Sequence, residues 1–175
     1  MKKYSFILLF SALISCGSYH SINSFYNVHK NDANVTAFRV PHFMFNLLRG
    51  SQESDMNSFL NNVSDIRFIQ LNLKSATESI AVSNQINGLV SNRFIEIYRK
   101  NEDAKHTLIS VRENRDVVKE IIIYKNGKNH HSVFYLSGNF NPVKVRRYVK
   151  NGRFDKLSNS VLQQFHFNPA EAPKN

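Results

Sequence analysis

Along the chain, apolar and polar positions fall into three regimes. Residues 4–15, "YSFILLFSALIS", form an almost unbroken apolar run. The stretch "GSYHSINSFYNVHKNDAN" that follows Cys16 is polar, small and aperiodic. From Asn34 onward the pattern takes on the periods of folded elements.

"NVTAFRV" (34–40) alternates weakly and is rich in β-branched and aromatic residues, which predicts a strand. Pro41 follows, and "PHFMFNLLRG" suits a short helix with proline at its first position and Gly50 just past its end. "SQESDMNSFLNNV" (51–63) predicts a second helical piece, because Met56, Phe59, Leu60 and Val63 fall on one face. "DIRFIQLNL" (65–73) reads as a strand in which Arg67, Ile69, Leu71 and Leu73 oppose Ile66 and Phe68. Ser75-Ala76-Thr77-Glu78 is a capping-box sequence that opens a helix to about Asn92, with Val82, Ile86, Leu89, Val90 and Arg93 in one stripe. Gly88 weakens that helix by about 1 kcal/mol.

Residues 93–142 are the most legible part. Four β-prone runs, at 94–99, 107–113, 117–125 and 131–139, are broken by the turn-rich "KNEDA", "ENRD" and "NGKN". That spacing predicts an antiparallel meander. Asn141-Pro142 then caps a helix through about Lys150, with Val145, Tyr148 and Val149 inward. Asn151-Gly152 stops it. A last amphipathic segment over 154–165 carries Leu157, Val161 and Phe165 at spacing four, and the "NPAEAPKN" tail is expected to be loose. The elements predict an α+β domain over 34–152, a mostly antiparallel sheet of about five strands with helices packed on one face. A helical piece and tail over 153–175 follow it.

The apolar N-terminal run is shorter than the roughly 20 residues a membrane-spanning helix needs. With "MKK" before it, it reads as a secretory signal over 1–15. Leu13-Ile14-Ser15-Cys16 looks like a bacterial lipobox, an aliphatic and small residues before a cysteine. In proteins with that box the signal is cut before the cysteine, the thiol is diacylated and the new amino terminus acylated. Several chains are used because one gives only marginal binding. Cys16 is thus expected to be the lipidation site that holds the protein to a lipid bilayer, with 16–33 as a flexible stalk, ordered only around 24–28. Gly17, rather than Asp, follows the cysteine, and no acidic run comes after it. The expected address is the outer membrane, facing the periplasm.

Composition narrows the rest. Of 175 residues 42% are hydrophobic, enough for one domain with a core, and the lone cysteine excludes an intramolecular disulfide or a cysteine-based zinc knuckle. The formal charge is +10, of which only Lys2 and Lys3 leave with the signal, so polyanions are the favoured partners. The secretory signal makes nucleic acid an unsuitable one, and no nucleic-acid-binding motif is present.

In order and spacing, "VTAFRV-P-HFMFNLL", "IRFIQL", "FIEIYRKNEDAKHTLISVREN", "DVVKEIIIYKNGKNHHSVFYLSGNFN" and the lipobox together resemble a family of small bacterial lipoproteins, found mainly in Bacteroidota. That family is the domain of unknown function numbered 4252, and the resemblance covers about 34–150. It implies an envelope address and a fold, and no activity. The chain departs from the family pattern in its Asn-rich loops, its positive charge and the helical piece after Gly152.

Candidate chemistry is sparse. No G-x-S-x-G, H-E-x-x-H or Gly-rich phosphate loop is present, and the carboxylates are scattered. If the meander pairs through "ENRD" and "NGKN", His106 and His131 both fall opposite about Tyr124, roughly 9–10 Å apart across two strand spacings. That is too far for one metal ion without a bridging ligand. They read as solvated turn histidines; neither a metal nor a cofactor is expected. The densest feature is "PVKVRRYVKNGRFDK" (142–156), with Lys144, Arg146, Arg147, Lys150, Arg153 and Lys156 against Asp155 as the only acid. Two readings of it stand level: a surface for an anionic headgroup, glycan or acidic protein, and a solvated helix face whose stems cover apolar surface. The functional expectation is a lipid-anchored binding or sensor module; the alternative is a periplasmic hydrolase or other enzyme with an unidentified site.

Overall fold

A computed structural model describes residues 21–50, 54–91, 93–102 and 105–164. The signal segment 1–15, Cys16 and the tail 165–175 lie outside the described residues. The strands are β1 (Val35–Arg39), β2 (Val63–Asn72), β3 (Ile95–Glu102), β4 (Lys105–Asn114), β5 (Val117–Asn126) and β6 (His130–Phe140). They form one sheet in the order β1-β2-β6-β5-β4-β3, and every neighbouring pair is antiparallel. The helices are α1 (Ile22–His29), α2 (Phe45–Gly50), α3 (Ser54–Leu60), α4 (Ala76–Ser91), α5 (Pro142–Lys150) and α6 (Arg153–Gln164), with a 3-10 turn over His42–Met44 before α2.

The expected α+β class and the four-strand meander are present. The sheet has six strands rather than about five, because every β-prone run finds a partner, including the short β1 on β2. Helices cover both faces of the sheet, whereas one face was expected. The reason lies in β5 and β6, where Ile121, Ile122, Ile123 and Tyr124, and Val133, Phe134, Tyr135 and Leu136, are consecutive and all buried. Successive strand residues point to opposite faces, so such runs demand cover on both. On one face Ile121, Ile123, Phe134 and Leu136 pack with the apolar sides of α2, α3, α5 and α6. On the other, Ile122, Tyr124, Val133 and Tyr135 pack with α1 and α4.

The second face draws on a segment that reads as stalk. Residues 22–29 form α1, capped by reciprocal Ser21–Ser24 bonds, with Ile22 and Phe25 buried. The ordered piece expected at 24–28 is therefore a docked helix, and this part of the expected stalk belongs to the folded unit. Helix α4 carries the chain from β2 to β3, across four strand spacings or about 19 Å. Its 16 residues reach about 24 Å, enough for the crossing. At its start Ser75 Oγ accepts the Glu78 amide at 3.2 Å, but Glu78 returns its bond to the Lys74 amide at 2.8 Å, one residue before the expected box.

On the first face an aromatic cluster fixes the C-terminal helices. The Phe59 ring of α3 stacks on Phe140 at 4.6 Å and meets Tyr148 of α5 at 5.1 Å and Phe154 of α6 at 5.6 Å. Gly138, two residues before Phe140, admits the α3–β2 turn. A Cβ there would lie 2.0 Å from the Asn62 carbonyl oxygen, which also accepts the Asn139 amide at 3.0 Å. Only glycine fits that approach. Gly138→Ala is expected to lower stability by about 1–3 kcal/mol, seen as a reduced urea midpoint with an unchanged slope.

Candidate functional site

The basic segment divides between two helices. Asn141 caps α5 by accepting the Val143 amide at 2.9 Å and the Lys144 amide at 3.2 Å, and Pro142 takes the first position. Val145 and Tyr148 face the core, leaving Val143, Arg146, Arg147 and Lys150 exposed along the opposite side. Part of the expected charge crowding is relieved from within. Asp55 of α3 accepts from Arg147 Nη2 at 3.2 Å through both oxygens and lies 4.0 Å from Lys144 Nζ. Tyr148 Oη donates to the Asp55 carbonyl at 2.8 Å, and the Arg147 and Arg153 guanidiniums each stand 5.7 Å from the Tyr148 ring. Lys144, Arg147 and Arg153 thus have partners inside the domain. Arg146, Lys150 and Lys156 are exposed and make no ion pair among the described residues.

Next to this helix pair, a cleft of about 630 Å³ lies between the sheet and α6 and reaches the β5–β6 turn. Its deep side is apolar, with Phe68, Phe134, Ile123 and Tyr98 beneath and Leu162 of α6 above. Two residues further along each strand the floor turns polar. Gln70, Ser132, Lys125, Thr107 and Lys100 stand directly opposite one another across five strands. Lys125 Nζ is 2.6 Å from Asp155 Oδ1 of α6, and Lys100 Nζ is 2.5 Å from Glu102 Oε1.

The histidines behave differently from expectation. His106 and His131 do lie two strands apart, but both face Asn126 rather than Tyr124. On the β4–β5 side, the bulge between Arg112 and Glu113 slides the register. His106 is exposed, whereas His131 is fully buried under α4, which corrects its reading as a solvated turn residue. Its Nδ1 lies 2.7 Å from Tyr124 Oη and its Nε2 lies 2.9 Å from Ser79 Oγ. Tyr124 Oη also meets Ser83 Oγ at 3.1 Å, which accepts from Asn126 Nδ2 at 3.2 Å. A neutral imidazole offers one donor and one acceptor, and hydroxyls complete either, so both ring nitrogens are satisfied. Burial pushes the His131 pKa down, helped by neighbouring His130, and burial raises the Tyr124 phenol despite its bonds to Ser83 and Asn126. The network ties Ser79 and Ser83 of α4 to β5 and β6.

A second polar group on the same face is also self-contained. Asp65 accepts from Arg39 Nε at 2.5 Å and Arg67 Nε at 2.7 Å, and Arg67 also donates to Asn23 of α1. Arg112 grips Glu120 through two 2.8 Å bonds. Burial alone would raise the Glu120 pKa, but the Arg112 guanidinium outweighs it and holds the carboxyl low, while burial and Glu120 push the Tyr135 phenol up. Among the described residues no three His, Cys, Asp or Glu gather as metal ligands, and no helix is long and apolar enough to cross a membrane.

This is the setting in which the family can be stated. The profile described as "Domain of unknown function (DUF4252)" matches residues 26–148, and the chain belongs to that family. The matched span starts inside α1 and ends inside α5, so it takes in the whole sheet. No curated protein and no solved structure matches the chain.

The buried imidazole has a consequence for acid stability. Its folded pKa lies below the ordinary value of about 6.5. As pH falls through that value the unfolded chain takes up a proton that the folded chain refuses, so stability declines until the folded pKa is reached. Urea midpoints at about pH 7.5 and about pH 5.5 check this. His131→Gln is expected to lower the midpoint at the higher pH and to shrink the drop between the two. An equal drop in both proteins would place the acid sensitivity elsewhere.

Proposed function

We propose that this protein is a lipid-anchored binding module of the cell envelope, without enzymatic activity, whose exposed α5 face meets an anionic partner. The anchor in this reading is acylated Cys16 in the outer membrane, with the domain on the periplasmic side. The observation that carries the binding role is the unpaired remainder of the basic segment. Asp55 neutralises only part of it, so Arg146 and Lys150, one helical turn apart on α5, face solvent together, with Lys156 on the next helix. Val143, 75% exposed, adds an apolar tip at the start of the same face. Cations beside an exposed apolar side chain suit a phosphorylated headgroup layer, an acidic glycan or an acidic protein surface.

Two measurements test it. Intact mass and detergent partitioning of the protein from its native host, beside Cys16→Ala, should give a chain cut before Cys16 with acyl mass that the variant lacks. A water-soluble product of unmodified mass would remove the anchor. For the surface, the triple variant Arg146→Gln, Lys150→Gln, Lys156→Gln is compared with wild type on phosphatidylglycerol vesicles, an acidic polysaccharide and polyglutamate. On the surface that binds, the loss is expected to be about 1 kcal/mol per cation, on the order of 100-fold in all. Asp55→Asn should tighten binding there by releasing Arg147. Unchanged binding of the triple variant on all three would sink the reading.

A further inference from the structure

The cleft under α6 has the form of a ligand site, and its residues are distinct from Arg146, Lys150 and Lys156. The inference therefore stands without the reading of the α5 face. Its volume of about 630 Å³ falls within the roughly 300–1,000 Å³ of small-molecule pockets. Two features set it apart from a gap between packed elements. The first is the ordered change of character along its floor. The apolar pairs Phe68↔Phe134 and Phe134↔Ile123 give way, two residues on, to Gln70↔Ser132 and Ser132↔Lys125. The second is the charge. Lys100, Lys105 and Lys125 line the polar side against Glu102 and Asp155, and Lys105 makes no ion pair among the described residues.

Lys125 stands at the centre of the polar row, with the Ser132 and Thr107 hydroxyls on the strands either side. Lys100 lies one strand beyond Thr107, two strand spacings or about 10 Å from Lys125. An acidic group set on this row would meet ammonium and hydroxyl donors together, while an apolar chain behind it would lie along Phe68, Phe134, Ile123 and Leu162. Asp155 holds Lys125 from the helix side, so the row is positioned before any ligand arrives. We propose that the cleft binds a small amphipathic acid, an apolar chain bearing one carboxylate, with the carboxylate at Lys125 and the chain under α6.

The test uses the full chain carrying Cys16→Ala, so that no acyl chain of its own is present, and dodecanoate as probe, below its micelle concentration, in titration calorimetry. Saturable one-to-one binding is expected. It should weaken roughly tenfold in Lys100→Met, Lys125→Met, which keeps the stems and removes two charges. It should be lost in Ser132→Trp, which fills the floor. Dodecylamine, with the opposite charge on the same chain, should bind weaker than dodecanoate. An unchanged urea midpoint qualifies each variant. For any variant that fails this check, Lys105→Met replaces it, with a smaller loss expected. No saturable binding, equal binding of dodecylamine, or undiminished binding in the qualified lysine variants would each overturn the assignment.

Discussion

Ile121, Ile122 and Ile123 are consecutive residues of one strand, and none is more than 1% exposed. Because a strand sends neighbours to opposite faces, this triplet cannot be satisfied by a one-sided layer of helices. Its hydrogen-bonded partner repeats the demand with Val133, Phe134, Tyr135 and Leu136. The rest of the architecture follows from that pair. One face is closed by α2, α3, α5 and α6, and the other by α4 and α1. Without α1 and α4, Ile122, Tyr124, Val133 and Tyr135 would face water together. Fully burying such side chains is worth about 1.5–3 kcal/mol each, which explains why a segment as polar as "SINSFYNVHK" folds onto the domain through little more than Ile22 and Phe25.

The same comparison shows what a single sequence can carry. The meander was legible because each turn is written in local residues, such as "NGKN", and each strand in a β-branched run. The neighbour relation of β2 and β6 was not, since it joins residues 58 to 75 positions apart and leaves no local mark. The run "EIIIY" held the signal for two-sided cover, in its lack of alternation; the cover itself was hidden because α1 has so few apolar residues. On the candidate surface, the cations of 142–156 were visible as a composition, but not which of them are spare. Asp55, 92 positions before Arg147, decides that. His131 was likewise visible as a residue and invisible as a buried one, because its burial depends on where α4 lands. The cleft floor is the extreme case. Its polar row takes one residue from each of five strands and exists only through register.

Charge is handled in two ways. In the interior of the second face, acids are spent one for one or better on arginine, as Asp65 is between Arg39 and Arg67 and Glu120 against Arg112. Arginine suits this use: the planar fork of Arg112 reaches Glu120 through two parallel bonds, and the Arg67 guanidinium stands over the Tyr26 and Tyr135 rings. Arg146 and Lys150 of α5 and Lys156 of α6 make no ion pair among the described residues. With much of the acid used internally, part of the formal excess of +10 is presented by these three side chains where two helices meet.

Helices α5 and α6 share a mechanical frame. They are joined by the two residues Asn151 and Gly152, the latter at φ 63°, a left-handed turn that glycine adopts without strain. Phe59, Phe140, Tyr148 and Phe154 lock both helices to the end of β6 through ring contacts of 4.6 to 6.1 Å. Side chains packed that closely move as a unit, because a small displacement of one ring forfeits contact with all. The exposed α5 face and the roof of the cleft are therefore two surfaces of one rigid pair. Asp155 ties that pair to the floor at Lys125. A carboxylate arriving at Lys125 competes for the same ammonium, so it would act on a roof-to-floor contact close to the turn that joins α5 and α6.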